Sequence, residues 1–90
     1  METQADDNFL LAVRTELRRA RDKFPNSNLV LAALAEEVGE LAQAMLKRRA
    51  GRMTDEDVWN EAVQVATMAL RCAVEGDPSF NLVEYREPGA

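Results

Sequence analysis

The sequence predicts an all-α domain built on three main amphipathic helices. Apolar residues recur at three- and four-residue intervals through three long segments, every proline falls outside those segments, and Thr, Asp and Gly signals mark their ends. Composition agrees: 47% of the 90 residues are hydrophobic and 30% charged, with only three prolines and four glycines, the profile of a folded helical chain rather than a disordered one.

The first helix is expected from Asp6 to about Lys23. Phe9, Val13, Leu17, Ala20 and Phe24 paint one apolar stripe, and Asp6, Asp7 or Asn8 offers a cap. Phe24-Pro25 ends it, because proline disfavours helical backbone in the preceding residue. Asn26, Ser27 and Asn28 then offer caps to a second helix, from Asn28 to about Arg49. Its Leu31, Leu34, Val38, Leu41 and Met45 lie at a/d-like intervals and predict a bundle seam. Ala50-Gly51 stops it. Thr54-Asp55-Glu56-Asp57 is a capping-box variant that opens the third helix, and Glu75-Gly76-Asp77-Pro78 closes it. Residues 77–90 form a short C-terminal arm, in which Phe80, Leu82, Val83 and Tyr85 suit either a helical turn or an extended segment. With no repeat and no linker, residues 1–90 make one domain.

A net charge of −5 disfavours binding to a nucleic acid polymer or an anionic membrane, so a phosphate-bearing ligand needs a metal between it and the protein. The chain has no apolar run near the roughly 20 residues of a membrane span and no signal-like segment. Its single cysteine, Cys72, has no internal disulfide partner, and a reducing cytoplasm is the expected address. No histidine is present to activate it, so Cys72 is assigned to packing.

Chemistry concentrates in Glu36-Glu37-x-x-Glu40 on the second helix. Two carboxylates about 4 Å apart near a surface repel by on the order of 4 kcal/mol, which a divalent cation converts into coordination. Ala33, Glu37, Glu40 and Ala44 share one stripe beside the seam, and Gly39 between the glutamates suggests close approach by another backbone or a ligand. On the third helix Glu61-x-x-Gln64 repeats the three-residue spacing, within a stripe of Asp57, Glu61, Gln64, Met68 and Arg71. Two oxygen-bearing faces that meet across a bundle make a hard-metal site. Each residue also has a plainer reading: glutamates on solvated faces, Asp57 as a cap, Gln64 as a bundle-edge polar residue. Trp59 suits either nucleobase stacking or an aromatic contact between helices or subunits. Arg48, in Lys47-Arg48-Arg49-x-x-Arg52, suits the negative end of its helix dipole and also a phosphate.

Leu34-Ala35-Glu36-Glu37-Val38-Gly39-Glu40-Leu41-Ala42, followed by Glu61-Ala62-Val63-Gln64-Val65-Ala66, resembles the MazG-like branch of the all-α nucleoside triphosphate pyrophosphohydrolases, from about Leu29 to Asp77. The resemblance implies Mg²⁺, with Mn²⁺ as a substitute, held by Glu37, Glu40 and Glu61, with Glu36 accessory. It implies cleavage of a nucleoside triphosphate between the α- and β-phosphates to give the monophosphate and pyrophosphate, with Glu36 or Glu37 orienting or deprotonating the attacking water. It further implies an obligate oligomer; the three amphipathic helices themselves suggest a homodimer pairing the second and third helices into a four-helix-type core, or a tetramer if the apolar C-terminal arm adds a contact. Gln64 departs from the pattern, standing where the family has aspartate. An amide oxygen still coordinates but brings no charge and cannot act as a base, and Asp57, one turn earlier, is the carboxylate that would restore one. Arg48, Trp59 and Arg71 are the candidate substrate contacts. Because of Gln64 a second reading stands, a non-catalytic helical oligomer that serves as a nucleotide-binding regulator or an interaction module.

Overall fold

The computed structural model describes residues 1–26 and 28–89. They form helices α1 (Gln4–Lys23), α2 (Val30–Arg49) and α3 (Asp55–Glu75), then a single 3-10 turn at Pro78–Phe80. The all-helical class is as expected. Among the described residues no helix is long and apolar enough to cross a membrane.

The first helix begins at a different cap from those expected. Thr3, not Asp6, Asp7 or Asn8, is the N-cap: its hydroxyl accepts from the Asp6 N–H, and the Asp6 carboxylate accepts from the Thr3 N–H at 2.8 Å. This reciprocal box satisfies two amides that lack intrahelical partners. Thr54 and Asp57 repeat the device at the start of α3, as their spacing predicts.

The second helix starts two residues later than expected, and no local side chain caps it. Leu29 adopts left-handed backbone (φ 62°) and makes no side-chain cap bond. The Leu31 amide instead donates to Asp77 Oδ2 at 3.0 Å, across 46 residues of sequence. Asp77, 3% exposed, also accepts from the Ser79 N–H at 2.9 Å, so one carboxylate caps α2 and the 3-10 turn together. The Asn28 cap is therefore replaced by a tertiary one, and Ser27 lies outside the described residues. Gly76 makes the return possible. Its φ is +78°, and a Cβ there would run into the carbonyl oxygens of Leu82 and Val83. The arm then folds back on α3, the Tyr85 amide donating to the Val74 carbonyl at 3.0 Å.

Bonds from the Leu31 and Ser79 amides hold the Asp77 carboxyl below its ordinary value. An acid with a depressed folded pKa contributes stability above its unfolded pKa of about 4 and loses it as pH falls further. Asp77→Ala is expected to lower the thermal midpoint at pH 7 by ~5–10 °C. In acid melts its gap from the parent chain should close below about pH 4.

α3 is the middle element. It packs against both α2 and α1, whose backbones do not come close to each other among the described residues. Val63, Thr67 and Arg71 run along its buried line, and Val13 and Ala20 of α1 and Val30 and Ala44 of α2 are the buried apolar residues of the flanking helices. The Thr67 hydroxyl, with no exposed surface, donates back to the Val63 carbonyl at 2.8 Å. The expected α2 seam is turned partly outward: Leu31, Val38 and Met45 are 43%, 47% and 57% exposed, and Ala44, from the stripe next to it, is buried instead. No other group approaches Gly39 closely among the described residues, since a Cβ there would meet nothing within 4 Å. Alanines and Glu37 thus face α3, which brings the acids to the helix contact.

Candidate metal centre

The packing of α2 on α3 brings Glu37, Glu40 and Glu61 together. One carboxylate oxygen from each lies within 4.8 Å of the other two. Glu37 and Glu40 stand one turn apart on α2 and Glu61 faces them from α3, because the Ala33–Glu37–Ala44 stripe is the one that meets this helix. Glu37 and Glu61 are half-buried and Glu40 exposed, so the cluster has an inner wall and an open mouth.

Electrostatically the cluster is unsatisfied. The Oε2 atoms of Glu37 and Glu61 are buried without a hydrogen-bond partner, a costly state for a carboxylate that ordinarily takes several donors. Burial, then the charges of Glu40 and Glu61, push the Glu37 carboxyl up to about 7. Burial, then the Glu40 charge, raise Glu61 as well. All three donors are hard oxygens. Ligands at about 2.1 Å from Mg²⁺ put neighbouring oxygens about 3 Å apart and opposed ones about 4 Å apart. The three oxygens lie within 4.8 Å of one another, a span comparable to that spacing. The donor set and its orphaned oxygens fit a small divalent cation.

A direct test follows from the sign of the Glu37 shift. A carboxyl raised from 4.5 to about 7 contributes stability that is present below the lower value and lost as pH rises through the upper one. In chelator, the parent chain is expected to lose stability between about pH 4.5 and pH 7, with little further loss above that, relative to Glu37→Gln. The unscreened limit is about 3 kcal/mol, and solvent access reduces it to on the order of 1 kcal/mol. Millimolar Mg²⁺ should remove the difference by favouring the ionised form. Parallel melts of the two proteins check this.

The other residues singled out from the sequence are placed elsewhere. Glu36 is exposed on α2 outside the triad and lines a neighbouring cleft. Asp57 lies outside the triad: its carboxylate is engaged by the Thr54 N–H at 2.8 Å and hydroxyl at 3.0 Å. Gln64 lies outside the triad and lines a groove between α1 and α3 together with Glu16, an acid that takes Arg19 Nε at 2.6 Å. Arg48 bonds Asp55 at 2.5 Å, joining the end of α2 to the start of α3. Trp59 meets Phe9 edge-on, with centroids 5.1 Å apart and planes at 81°, a contact between α1 and α3.

Arg71 turns out to be a structural clamp. It is 2% exposed; its Nε and one terminal nitrogen donate to the two Glu75 carboxylate oxygens, each at 2.9 Å, and that terminal nitrogen also reaches the Phe24 carbonyl at 2.7 Å. Arg21 of α1 donates to the same Glu75 at 2.9 Å. Arg71 thereby ties the end of α1 to α3.

One group went unread in the sequence. A cleft of about 720 Å³ opens between the C-terminal end of α1 and the first half of α2, with α3 as its floor. Glu36 and Glu37 line it beside Arg19 and Lys23. The cations sit four residues apart, a signal for a shared helix face. No protein-family model, curated protein or solved structure matches this chain.

Proposed function

We propose that the protein is a Mg²⁺-dependent nucleoside triphosphate pyrophosphohydrolase, releasing pyrophosphate and a monophosphate. The observation that carries this reading is the convergence of Glu37, Glu40 and Glu61 with two buried carboxylate oxygens left without partners. Such a cluster is stable when a cation is shared among its oxygens, and a cation on an acidic chain is what lets a polyanionic substrate approach. When bound, Mg²⁺ would neutralise phosphate oxygens and lower the pKa of water. Glu37 and Glu61 hold the inner side of the site and Glu40 its mouth. Glu36, exposed on the cleft side of the triad, is the carboxylate free to accept a proton from water. The absence of histidine leaves carboxylates as the bases near neutral pH.

The proposed assembly is a homodimer. Leu31, Val38 and Met45 repeat at seven-residue intervals along α2 and remain 43–57% exposed, an apolar stripe that a second copy would cover in a four-helix-type core. Phe80, Leu82, Val83 and Tyr85, all more than half exposed, offer the arm contact for a tetramer. A cytoplasmic setting belongs to the same proposal.

The deciding experiment is a pyrophosphate-release screen over canonical and modified nucleoside triphosphates with Mg²⁺ and Mn²⁺. Metal-dependent release from at least one nucleotide supports the reading. Nucleotide binding without turnover would turn it into a regulator, and neither metal nor nucleotide binding would leave an interaction module.

A further inference from the structure

We propose that the cleft between the end of α1 and the first half of α2 seats the nucleoside triphosphate, with Arg19 and Lys23 on its phosphates and Phe24 and Met68 against its base. This rests on the metal-assisted reading of the Glu37–Glu40–Glu61 cluster and adds to it the residues that hold the substrate. The cleft reaches Glu37 itself, so a ligand in it extends from the metal cluster toward the α1–α2 connection. Its volume, about 720 Å³, falls within the range of small-molecule sites.

The lining is complementary to a nucleotide in both charge and chemistry. In a chain of net charge −5, Arg19 and Lys23 line the cleft together with Glu36, Glu37 and the buried Arg71, and the two exposed cations stand four residues apart on the same face of α1. Arg19 is held by Glu16, its Nε bonding at 2.6 Å, which fixes the guanidinium while its side chain stays 57% exposed. Lys23 lies over the Phe24 ring, 5.4 Å from the centroid. Phe24 is 56% exposed and lines the cleft with Met68, presenting an aromatic face and a polarizable thioether to a planar base. Asn26 and Asn28, at the same end, each offer an amide donor and acceptor to a base edge.

The wall is built rather than incidental. The buried Arg71 holds the Phe24 carbonyl at 2.7 Å, and Glu75 orients Arg71 through two further bonds. A buried arginine therefore positions the backbone of an exposed aromatic residue. Arg71 acts on the ligand through Phe24 and is a positioning residue.

Calorimetry with the α,β-methylene analogues of ATP, GTP, CTP and UTP in Mg²⁺ tests the cleft without turnover. At least one analogue is expected to bind. Arg19→Glu and Lys23→Glu should each weaken that binding about tenfold or more, and Phe24→Ala about tenfold, with recovery in Phe24→Tyr. Leu11→Ala, in a separate groove between α1 and α3, should leave binding within about twofold, and far-UV dichroism should confirm helix content in each variant. Binding indifferent to Lys23→Glu and Phe24→Ala, or no binding of any analogue, overturns the proposal. Variant-sensitive binding without pyrophosphate release from the parent nucleotides rejects the hydrolytic reading and keeps the cleft. Release with KM unchanged in the three cleft variants rejects the cleft and keeps the hydrolytic reading.

Discussion

Glu40→Gln and Glu61→Gln are each expected to lower metal-dependent pyrophosphate release about 100-fold or more while leaving helix content intact. Glutamine keeps the shape and one coordinating oxygen but removes the charge on which cation affinity depends. Glu40 is exposed and Glu61 half-buried, so neither substitution opens a cavity in the core. Removing one carboxylate also relieves repulsion among the others. The folded chain in chelator should become slightly more stable, as activity falls. A destabilised variant would lose activity and melt lower together, so opposite movements of the two readings separate a site defect from a folding defect. Glu36→Gln should lower kcat with little change in metal affinity, because Glu36 lies outside the triad. Equal losses of activity and metal binding in Glu36→Gln would assign it to the metal instead.

Arg71→Ala should be the most damaging single substitution to the fold. Its guanidinium makes three bonds, two to Glu75 and one to the Phe24 carbonyl, from a position 2% exposed. Removing it leaves Glu75, whose side chain is 16% exposed, with a reduced set of donors. Breaking a buried pair in this way costs about 3 kcal/mol or more, against the ~5–15 kcal/mol that holds a domain together. The expected shift is roughly 15 °C in thermal midpoint. Arg21 also bonds Glu75 at 2.9 Å, so a double-mutant cycle of Arg71 and Glu75 should show strong coupling. A midpoint within a few degrees of the parent would show that the clamp contributes little to stability.

The helix frame was legible because its signals are local. Thr54-x-x-Asp57 and Gly76-Asp77-Pro78 each act within four residues, and both lie where their spacing predicts. The start of α1 was misread for a local reason too: Thr3-x-x-Asp6 is the same box, but Asp6 holds the third helical position rather than the cap. The start of α2 was not legible, since its cap is Asp77, 46 residues away, and no local pattern encodes that contact. The stripe of Ala33, Glu37 and Ala44 was visible as a face, but which face meets α3 depended on packing, and small alanines allowed α2 to turn its larger apolar residues outward.

The acidic site was legible to a similar depth. Glu37, Glu40 and Glu61 could be picked out because their spacing places them on facing stripes, and tertiary packing unites them. Asp57 is the cap that Thr54-x-x-Asp57 encodes, and Gln64 lines a groove beside Glu16 of α1 rather than joining the triad. Arg71 shared a stripe with Glu61, yet its partners Glu75 and Phe24 make it a clamp. Arg19 and Lys23 carry no sequence signal beyond their four-residue spacing, and their cleft exists only once α3 separates α1 from α2.

Manganese binding followed by electron paramagnetic resonance tests the central claim most directly, since it needs neither a known substrate nor turnover. The parent chain should bind Mn²⁺ at one site per triad, in competition with Mg²⁺, and Glu61→Gln should lose that binding while remaining folded. Free-ion signal undiminished by the parent protein, or Mn²⁺ bound equally by Glu37→Gln, Glu40→Gln and Glu61→Gln, would contradict it.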